Sequence, residues 1–372
     1  MRIALVAEDY YPQLGGIPEH VHNLALELQR RGDQVTVVSS RMSGQYPREY
    51  QGQYPVRRVG RSVVIYANGG VSRITVGLRL KHDLAAVFRD GGFDVIHVHG
   101  GLAPTFGALV PGVARRVGVP VVATFHSWFE RSLGYRVFRR RFQQLISMHA
   151  ANIAVSEPVV EAHARYIHAT WEVIPNGVDL GYFCLDGRRP AGGATAQPRL
   201  LFLHRLEPRN HLDTLLAAMP AILARHPTTE LLVAGDGPWR PYYRYAARGL
   251  GTHVRFLGRI EDRAETYRSA DLYLCPTTRA GFGITLLEAM ACGTPMIVSD
   301  NPGFRAVLAG GEAGLFAAHD DPAAWADAVN RLLDDPARRR VMSEAGTARA
   351  ARFGWPEVAA RVAEVYARVV RR

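Results

Sequence analysis

A chain of 372 residues exceeds one ordinary core and is expected to form two domains of roughly 100–200 residues each. Hydrophobic residues make up 48% and charged residues 21%, a globular balance, and no apolar run reaches the ~18–20 residues of a membrane span, which excludes disordered and membrane-spanning classes. The net charge of +11 is carried by arginine, with Lys81 the one lysine; it is compatible with nucleic acid, anionic lipid or phosphorylated substrates, and equally with an Arg-rich coding bias.

The N-terminal "MRIALVAEDYYP" reads as a first buried strand, because its apolar run is short and ends in acids; without the pattern of a secretory leader, a cytoplasmic location is expected. A Gly15–Gly16 loop then precedes a helical pattern over Ile17–Arg31. Short apolar runs follow, "QVTVVS", "DVIHVH", "PVVATFH", "NIAVSE" and "WEVIPN", separated by helical patterns, the alternation of a parallel sheet covered on both faces. The stretch Cys184–Arg199, rich in Gly, Pro and Ala, marks a linker. A second series, "RLLFLH", "ELLVAGDG", "HVRFLG", "DLYLCP", "PMIVSD" and "AGLFAA", repeats the alternation. The expected class is therefore α/β, with two doubly wound domains over 1–183 and 184–355 and a last helix, 356–372, returning to the first. Cys184, Cys275 and Cys292 lack CxxC spacing and are expected to be reduced packing residues.

Open parallel sheets bind ligands outside the carboxyl ends of their strands, so residues there are the candidates. Glycines ahead of a helix let backbone N–H groups approach an anion, and the helix dipole adds about half a positive charge. Gly15–Gly16 and the loop Gly281–Phe282–Gly283 before Ile284 both fit. Glu288, in the helix after that loop, is either a grip for the two hydroxyls of a ribose or a surface acid stabilising its own helix. Arg205, after "RLLFLH", suits a bidentate bond to a diphosphate, or an interdomain salt bridge. His126 is placed to hydrogen-bond at a reacting centre or to be a satisfied strand-end polar group. His97 and His99 share a strand face, yet the spacing offers no third ligand, so no metal site is expected. The absence of GxxxxGK[ST], of GxGxxG after the first strand and of GxSxG removes ATPases, ordinary dehydrogenases and α/β-hydrolases from the front rank. In "ERSLGYRVFRRRFQQLISMH", Arg131, Arg136, Arg139, Arg140 and Arg141 oppose Phe138, Phe142, Leu145 and His149 at helical spacing. This is a helix for an anionic membrane surface or one packed into its own domain. Arg57, Arg58, Arg61 and Arg73 add positive charge nearby. Aromatics are not interleaved with the arginines as stacking platforms, so no nucleic-acid partner is expected.

Taken in order, "GGIPEHVHNLALELQRRGDQVTVV", "FDVIHVHG", "VVATFHSWF", "IAVSE", "VIPNGVD", "LHRLEPRN", "GDGP", "FLGRI", "SADLYLCP" and "GFGITLLEAMACGTPMIVSD" resemble retaining glycosyltransferases of family 4 with the GT-B fold. "NGGVSRITVG", Asn68–Gly77, is similar to a segment that phosphatidylinositol mannosyltransferases carry near the acceptor. The resemblance implies a nucleotide diphosphate sugar donor, GDP-mannose ahead of a UDP-hexose, with no metal or cofactor. It implies Glu288 on the ribose, Arg205 with Arg209 and Asn210 at the diphosphate, and Gly16, Gly281, Phe282, Gly283 and Ile284 around phosphate and sugar. His126 would lie beside the transferred sugar, with Asp9, Tyr10, His20 and Arg73 toward a lipid or polyol acceptor. It also implies a leaving phosphate that helps deprotonate the acceptor hydroxyl, and for a lipid acceptor the basic helix leads to an expected peripheral contact with the inner face of the plasma membrane. Two positions depart from the pattern: Ala280 stands where the family usually has a Glu, and Asn210 where it usually has a Lys. They admit a rival reading, a nucleotide-sugar-binding protein with weak or no transfer.

Overall fold

The computed structural model describes residues 1–13, 15–42, 53–67, 70–102, 105–186, 197–309 and 311–371. The chain divides into two compact units, the first holding Met1–Ala67, Val71–Gly177 and Trp355–Arg372, the second built on Val178–Gly354.

Among the described residues the first unit carries eight strands: β1 (Arg2–Ala7), β2 (Gln34–Arg41), β3 (Val56–Ala67), β4 (Gly70–Val76), β5 (Val95–His99), β6 (Val121–Phe125), β7 (Ala151–Ala154) and β8 (Glu172–Val173). Their helices are α1 (Gly16–Arg30), α2 (Leu80–Gly91), α3 (Phe106–Val117), α4 (Leu133–Val137), α5 (Arg139–Ile146) and α6 (Glu157–Ala164). The sheet order is β4-β3-β2-β1-β5-β6-β7-β8. From β1 the chain winds outward one way, and from β5 it winds the other, so the switch point lies between β1 and β5, which pair in parallel from Ile3–Val95 to Ala7–His99. Successive side chains of a strand point to opposite faces, and β1 shows what each face meets. Ile3 and Leu5 pack with Val21, Leu24 and Leu28 of α1, whereas Ala4 and Val6 pack with Leu84 and Phe88 of α2 and Phe106 and Val110 of α3. Burial of each such aliphatic or aromatic side chain contributes about 1.5–3 kcal/mol, which is why these strands read as unbroken apolar runs.

β3 has an apolar run only at its end, Val63–Ala67, and Val63 and Val64 there are exposed. "VRRVGRSVVIYA" places arginines along the strand, and the described burial alternates between exposed and covered positions, so apolar periodicity passes over it. "WEVIPN" contributes only the two residues of β8.

In the second unit β9 (Arg199–Leu203), β10 (Glu230–Ala234), β11 (Val254–Gly258), β12 (Leu272–Cys275), β13 (Met296–Ser299) and β14 (Gly314–Ala317) form a sheet of order β11-β10-β9-β12-β13-β14. Its switch point falls between β9 and β12, where Tyr273 pairs with Leu201. The helices are α7 (Leu212–Arg225), α8 (Arg240–Ala246), α9 (Arg263–Arg268), α10 (Ile284–Ala291), α11 (Pro302–Leu308), α12 (Pro322–Asp334) and α13 (Pro336–Ala350). Leu200 and Phe202 of β9 pack with Leu215 and Met219 of α7 and with Trp325 and Val329 of α12.

The last helix, α14 (Trp355–Val370), belongs to the first unit: Val358, Val362 and Tyr366 join the core formed by α1 and β1. Most of the expected linker over 184–199 lies outside the described residues. Cys184 is half-buried, Cys275 and Cys292 are buried, and all three are free thiols.

Candidate functional site

The expected site residues lie at the carboxyl edges of both switch points, and each group is described within its own unit. In the second unit, β9 leads into Arg205, Glu207, Arg209 and Asn210. Glu207 is fully buried and holds both cations: Arg205 Nη2 lies 3.0 Å from Oε1 and Arg209 Nε 3.0 Å from Oε2. Both guanidiniums remain about one-third exposed, at 36% and 35%. A buried carboxylate is costly unless paired, and two guanidiniums at ion-pair distance supply that pairing while each stays partly open to solvent. Arg205 is thus held by an acid of its own loop. Asn210 is buried; its amide nitrogen donates to Arg205 O at 2.7 Å and its amide oxygen accepts from Thr277 Oγ1 at 3.0 Å. The amide pins the loop from behind, where a longer lysine would have to reach out.

The loop after β12 is tied to the same edge by Thr278 N, which donates to Arg209 O at 3.4 Å. It ends in Gly281–Phe282–Gly283 and α10. Phe282 is buried, its ring 5.9 Å from that of Phe353. Gly283 has φ 117°, and a β-carbon there would lie 2.8 Å from the Phe304 ring, so both backbone and space require glycine. As the N-cap of α10 it provides no side-chain cap, leaving the first-turn N–H groups of Ile284 and its neighbours to other partners. Gly281 and Ile284 are half-buried beside it, and Ala280 is half-buried at the loop entrance.

Glu288 is neither on the surface nor open on every side. It is 1% exposed; Arg263 Nη1 donates to Oε1 at 2.8 Å and Tyr267 Oη donates to Oε2 at 3.0 Å. Burial, followed by the adjacent carboxylate, pushes the Tyr267 hydroxyl well above its ordinary pKa. The sequence reading missed Arg263, Tyr267 and Glu207. For Glu207 a signal exists, an acid between two arginines; for the other two, 21 to 25 positions from Glu288, only the fold makes the connection.

In the first unit, α1 begins at Gly16 after the N-cap Gly15, again with no side-chain cap, and Gly16 is exposed. One turn later His20 is 2% exposed, its Nδ1 2.8 Å from Asn176 Oδ1. His99 ends β5, His126 follows β6, and His99 Nδ1 lies 3.4 Å from His126 Nε2. One ring nitrogen from each of His20, His99 and His126 lies within 4.8 Å of the others. This differs from the sequence expectation, which paired His97 with His99 and found no third group. His97 is committed elsewhere, with Nδ1 2.6 Å from Tyr366 Oη and Nε2 2.7 Å from Thr124 Oγ1, whereas His20 comes from the first turns of α1 and His126 from the end of β6. All these imidazoles are held neutral. Burial lowers His20 to about 4, the Asn176 bond partly opposing it, and burial plus crowding by the neighbouring imidazoles takes His97, His99 and His126 well below the usual value.

Asp9 is half-buried, and Tyr10 is buried with its hydroxyl bonded to that of Tyr54. Glu8 before them orders the loop: its Oε1 accepts from Thr75 N at 3.2 Å and from Phe106 N at 3.3 Å, while burial raises its pKa against those bonds. Arg73, half-buried, donates from Nη1 to Ser62 Oγ at 3.2 Å. Arg58 serves the fold, giving Nη1 to Ser40 O at 2.9 Å, and burial lowers it to about 10, against the opposing pull of Tyr10. Asn68 and Gly69, at the head of the segment Asn68–Gly77, lie outside the described residues.

The basic segment forms two short helices, α4 and α5, that break at Phe138. Phe142, Leu145 and Ile146 face inward, as a packed helix requires, and His149 lies beyond the helix end, bonded to Asn152. Leu133, Val137 and Phe138 are instead 67%, 63% and 58% exposed, beside the exposed Arg131, Arg136, Arg139, Arg140 and Arg141. No helix among the described residues is long and apolar enough to cross a membrane.

Against known proteins, residues 14–182 match Glycosyltransferase Family 4 and residues 188–349 match Glycosyl transferases group 1. The chain is 35% identical over 378 residues to a phosphatidyl-myo-inositol mannosyltransferase of Mycobacterium tuberculosis, covering 98% of this chain and 96% of that protein. Among solved structures it is similar to sucrose-phosphate synthase from Thermosynechococcus elongatus, with TM-score 0.76, 24% identity and coverage of 99% and 98% of the two chains. It is also similar to Anabaena HepE in complex with UDP, with TM-score 0.79, 18% identity and coverage of 99% and 100%.

Proposed function

Since the chain belongs to glycosyltransferase family 4 and has the GT-B fold of two parallel sheets, we propose that it is a retaining hexosyltransferase. On this reading it moves mannose from GDP-mannose to a hydroxyl of an inositol-bearing lipid or related polyol. The observation that carries the donor half is the β9/β12 switch point. Two arginines anchored on one buried glutamate stand on the edge from which the uncapped start of α10 also emerges. That arrangement suits a diphosphate, which takes bidentate bonds from guanidinium and single bonds from helix-start N–H groups. The resemblance of the whole chain to mannosyltransferases of phosphatidyl-myo-inositol supports mannose and the inositol lipid.

In this reading Arg205 and Arg209 bind the diphosphate and stabilise the charge that grows on it as the glycosidic bond breaks; removal of one such stabiliser typically costs about 10²–10³ in rate. On this reading Glu288, held in the buried position where Arg263 and Tyr267 donate to it, takes the hydroxyls of the ribose. His126, neutral and half-buried, offers a hydrogen bond beside the transferred sugar, and the departing phosphate takes the acceptor proton on the same face. Positioning and charge stabilisation then carry the reaction, without a covalent intermediate. The exposed Leu133, Val137 and Phe138 among arginines suit peripheral contact with anionic lipid on the cytoplasmic side.

The test is a thermal-shift series with GDP, UDP, ADP and their hexose conjugates, followed by radiolabelled transfer to phosphatidylinositol vesicles. A selective stabilisation by GDP and GDP-mannose, with labelled lipid formed, is the expected result. Stabilisation by UDP-sugars alone would replace the donor, and no stabilisation by any nucleotide would overturn the donor site.

A further inference from the structure

We infer that His204 is a positioning residue of the β9/β12 edge: with Tyr273 and Thr285 it locks the loop of Arg205 and Arg209 to the first turn of α10. His204 follows β9 and directly precedes Arg205, Tyr273 lies on the neighbouring β12, and Thr285 is the second residue of α10. His204 Nε2 stands 2.7 Å from Tyr273 Oη, and the Tyr273 hydroxyl also bonds the Thr285 side chain. The path from β9 to α10 therefore runs through three side chains without a break.

Burial, and then the charge of Arg209, lower His204 to about 3, so the ring is neutral at pH 7 and offers one lone pair. Thr285 donating to Tyr273, and Tyr273 donating to His204 Nε2, give each hydroxyl one acceptor. Tyr273 is fully buried, and a buried hydroxyl left unpaired is costly, so the three groups hold one another in register. A second path closes a circuit. Cys275 Sγ lies 3.1 Å from the same His204 nitrogen, and Cys275 is bonded to Thr277 through backbone and hydroxyl. Thr277 Oγ1 donates to Asn210 Oδ1 at 3.0 Å and Asn210 Nδ2 to Arg205 O at 2.7 Å, which returns the path to the residue beside His204. The loop that carries the two arginines is thus held at both of its ends. None of these groups has to touch a ligand; they act by fixing the guanidiniums and the first-turn N–H groups beforehand, which lowers the ordering cost of binding. What the edge holds, a diphosphate, rests on the donor reading; the coupling of the two elements stands apart from it.

The experiment compares the full wild-type chain with Tyr273→Phe, Thr285→Val and Thr285→Ser, by amide hydrogen exchange in the segments 206–211 and 286–291 and by equilibrium dialysis of GDP and guanosine. Tyr273→Phe and Thr285→Val are expected to speed exchange in both segments together and to weaken GDP about tenfold while guanosine is unchanged. Thr285→Ser keeps a hydroxyl and is expected to restore wild-type values. Trp325→Phe, which removes the bond from Nε1 to Ala318 O at 2.8 Å, should lower the melting temperature of the same unit and leave the ratio of GDP to guanosine affinity unchanged, as a merely structural loss would. If Tyr273→Phe fails to fold, as judged by circular dichroism, the half-buried Thr285→Val decides. Exchange that rises in one segment only, or evenly over the unit, overturns the lock, as does a GDP affinity that stays at the wild-type level or falls in step with guanosine. A wild type that binds no nucleoside diphosphate removes the donor reading alone, and the paired exchange result then decides the coupling.

Discussion

Glu288 separates two explanations of the same residue, and paired substitutions measure both. In Glu288→Ala the Arg263 guanidinium loses its carboxylate and the Tyr267 hydroxyl its acceptor. Removing one partner of a buried ion pair costs about 3–5 kcal/mol, and Arg263, 26% exposed, recovers part of that by hydration, so about 3 kcal/mol remains. At about 2–4 °C per kcal/mol for a unit of this size, the melting temperature of the second unit should fall by about 6–12 °C. Glu288→Gln keeps the shape and one acceptor for Tyr267 while removing the charge, and should cost about 1–2 kcal/mol. Stability alone reports the structural pairing. The ligand role is read from the increment produced by GDP-mannose: at a hundredfold excess over Kd a binder adds about 2.7 kcal/mol. Differential scanning calorimetry with and without donor gives both numbers for each variant. Glu288→Gln that folds and keeps the full donor increment would refute the ribose assignment. Glu288→Ala with an unchanged melting temperature would refute the claim that the ion pair carries energy.

Arg205→Ala should weaken GDP binding by about 10–100-fold, the worth of one or two charged hydrogen bonds, while leaving guanosine binding unchanged in equilibrium dialysis. Gly283→Ala, which needs φ 117° and a place 2.8 Å from the Phe304 ring, should cost about 1–3 kcal/mol in urea unfolding. Restoring the usual acid with Ala280→Glu should raise transfer if the missing glutamate limits rate, and a transfer rate equal to wild type in a donor-saturated assay would remove Ala280 from the explanation. Acid should destabilise the fold early. His20, His22, His149 and His163 have pKa values lowered by burial to about 4, so the unfolded chain binds more protons between pH 6.5 and 4. Their contribution is present above pH 6.5 and is lost as pH falls toward 4, at up to about 1.4 kcal/mol per histidine per pH unit, measurable as falling urea midpoints from pH 7 to 5.

Most of the architecture was legible because parallel strands buried on both faces announce themselves as apolar runs. "RIALVA", "DVIHVH" and "ELLVAGDG" lie within a residue or so of β1, β5 and the start of β10. β3 escaped because arginines interrupt its first half and the valines of its apolar end are exposed rather than buried on both faces. The loops at the switch points were legible as loops, since Gly283 has to be glycine. Their wiring was not: no sequence rule links Arg263 to Glu288 or Asn176 to His20 across 156 positions, and the histidine group was missed for the same reason. The basic helix shows the limit of periodicity itself, for a break at Phe138 turns an expected inward ring outward.

The charge around the β9/β12 edge follows from how the arginines are supported. Arg205 and Arg209 share the single carboxylate of Glu207, so the three side chains sum to one positive charge, and the start of α10 adds about half of another. A lysine at position 210 would have added a full unit; Asn210 spends its amide on Arg205 O and Thr277 instead. On the donor reading, a diphosphate therefore meets a modest but rigid field, in which orientation substitutes for charge. Guanidiniums fixed from behind lose little rotamer entropy on binding, whereas a free lysine would lose up to about 2 kcal/mol. Two consequences separate this arrangement from a simple basic patch: Asn210→Lys should tighten GDP most at low salt, and Glu207→Gln, which adds a net positive charge but frees both arginines, should weaken it. If Glu207→Gln tightened GDP while remaining folded, net charge rather than orientation would govern the site, and Glu207 would be a liability of the loop rather than its support.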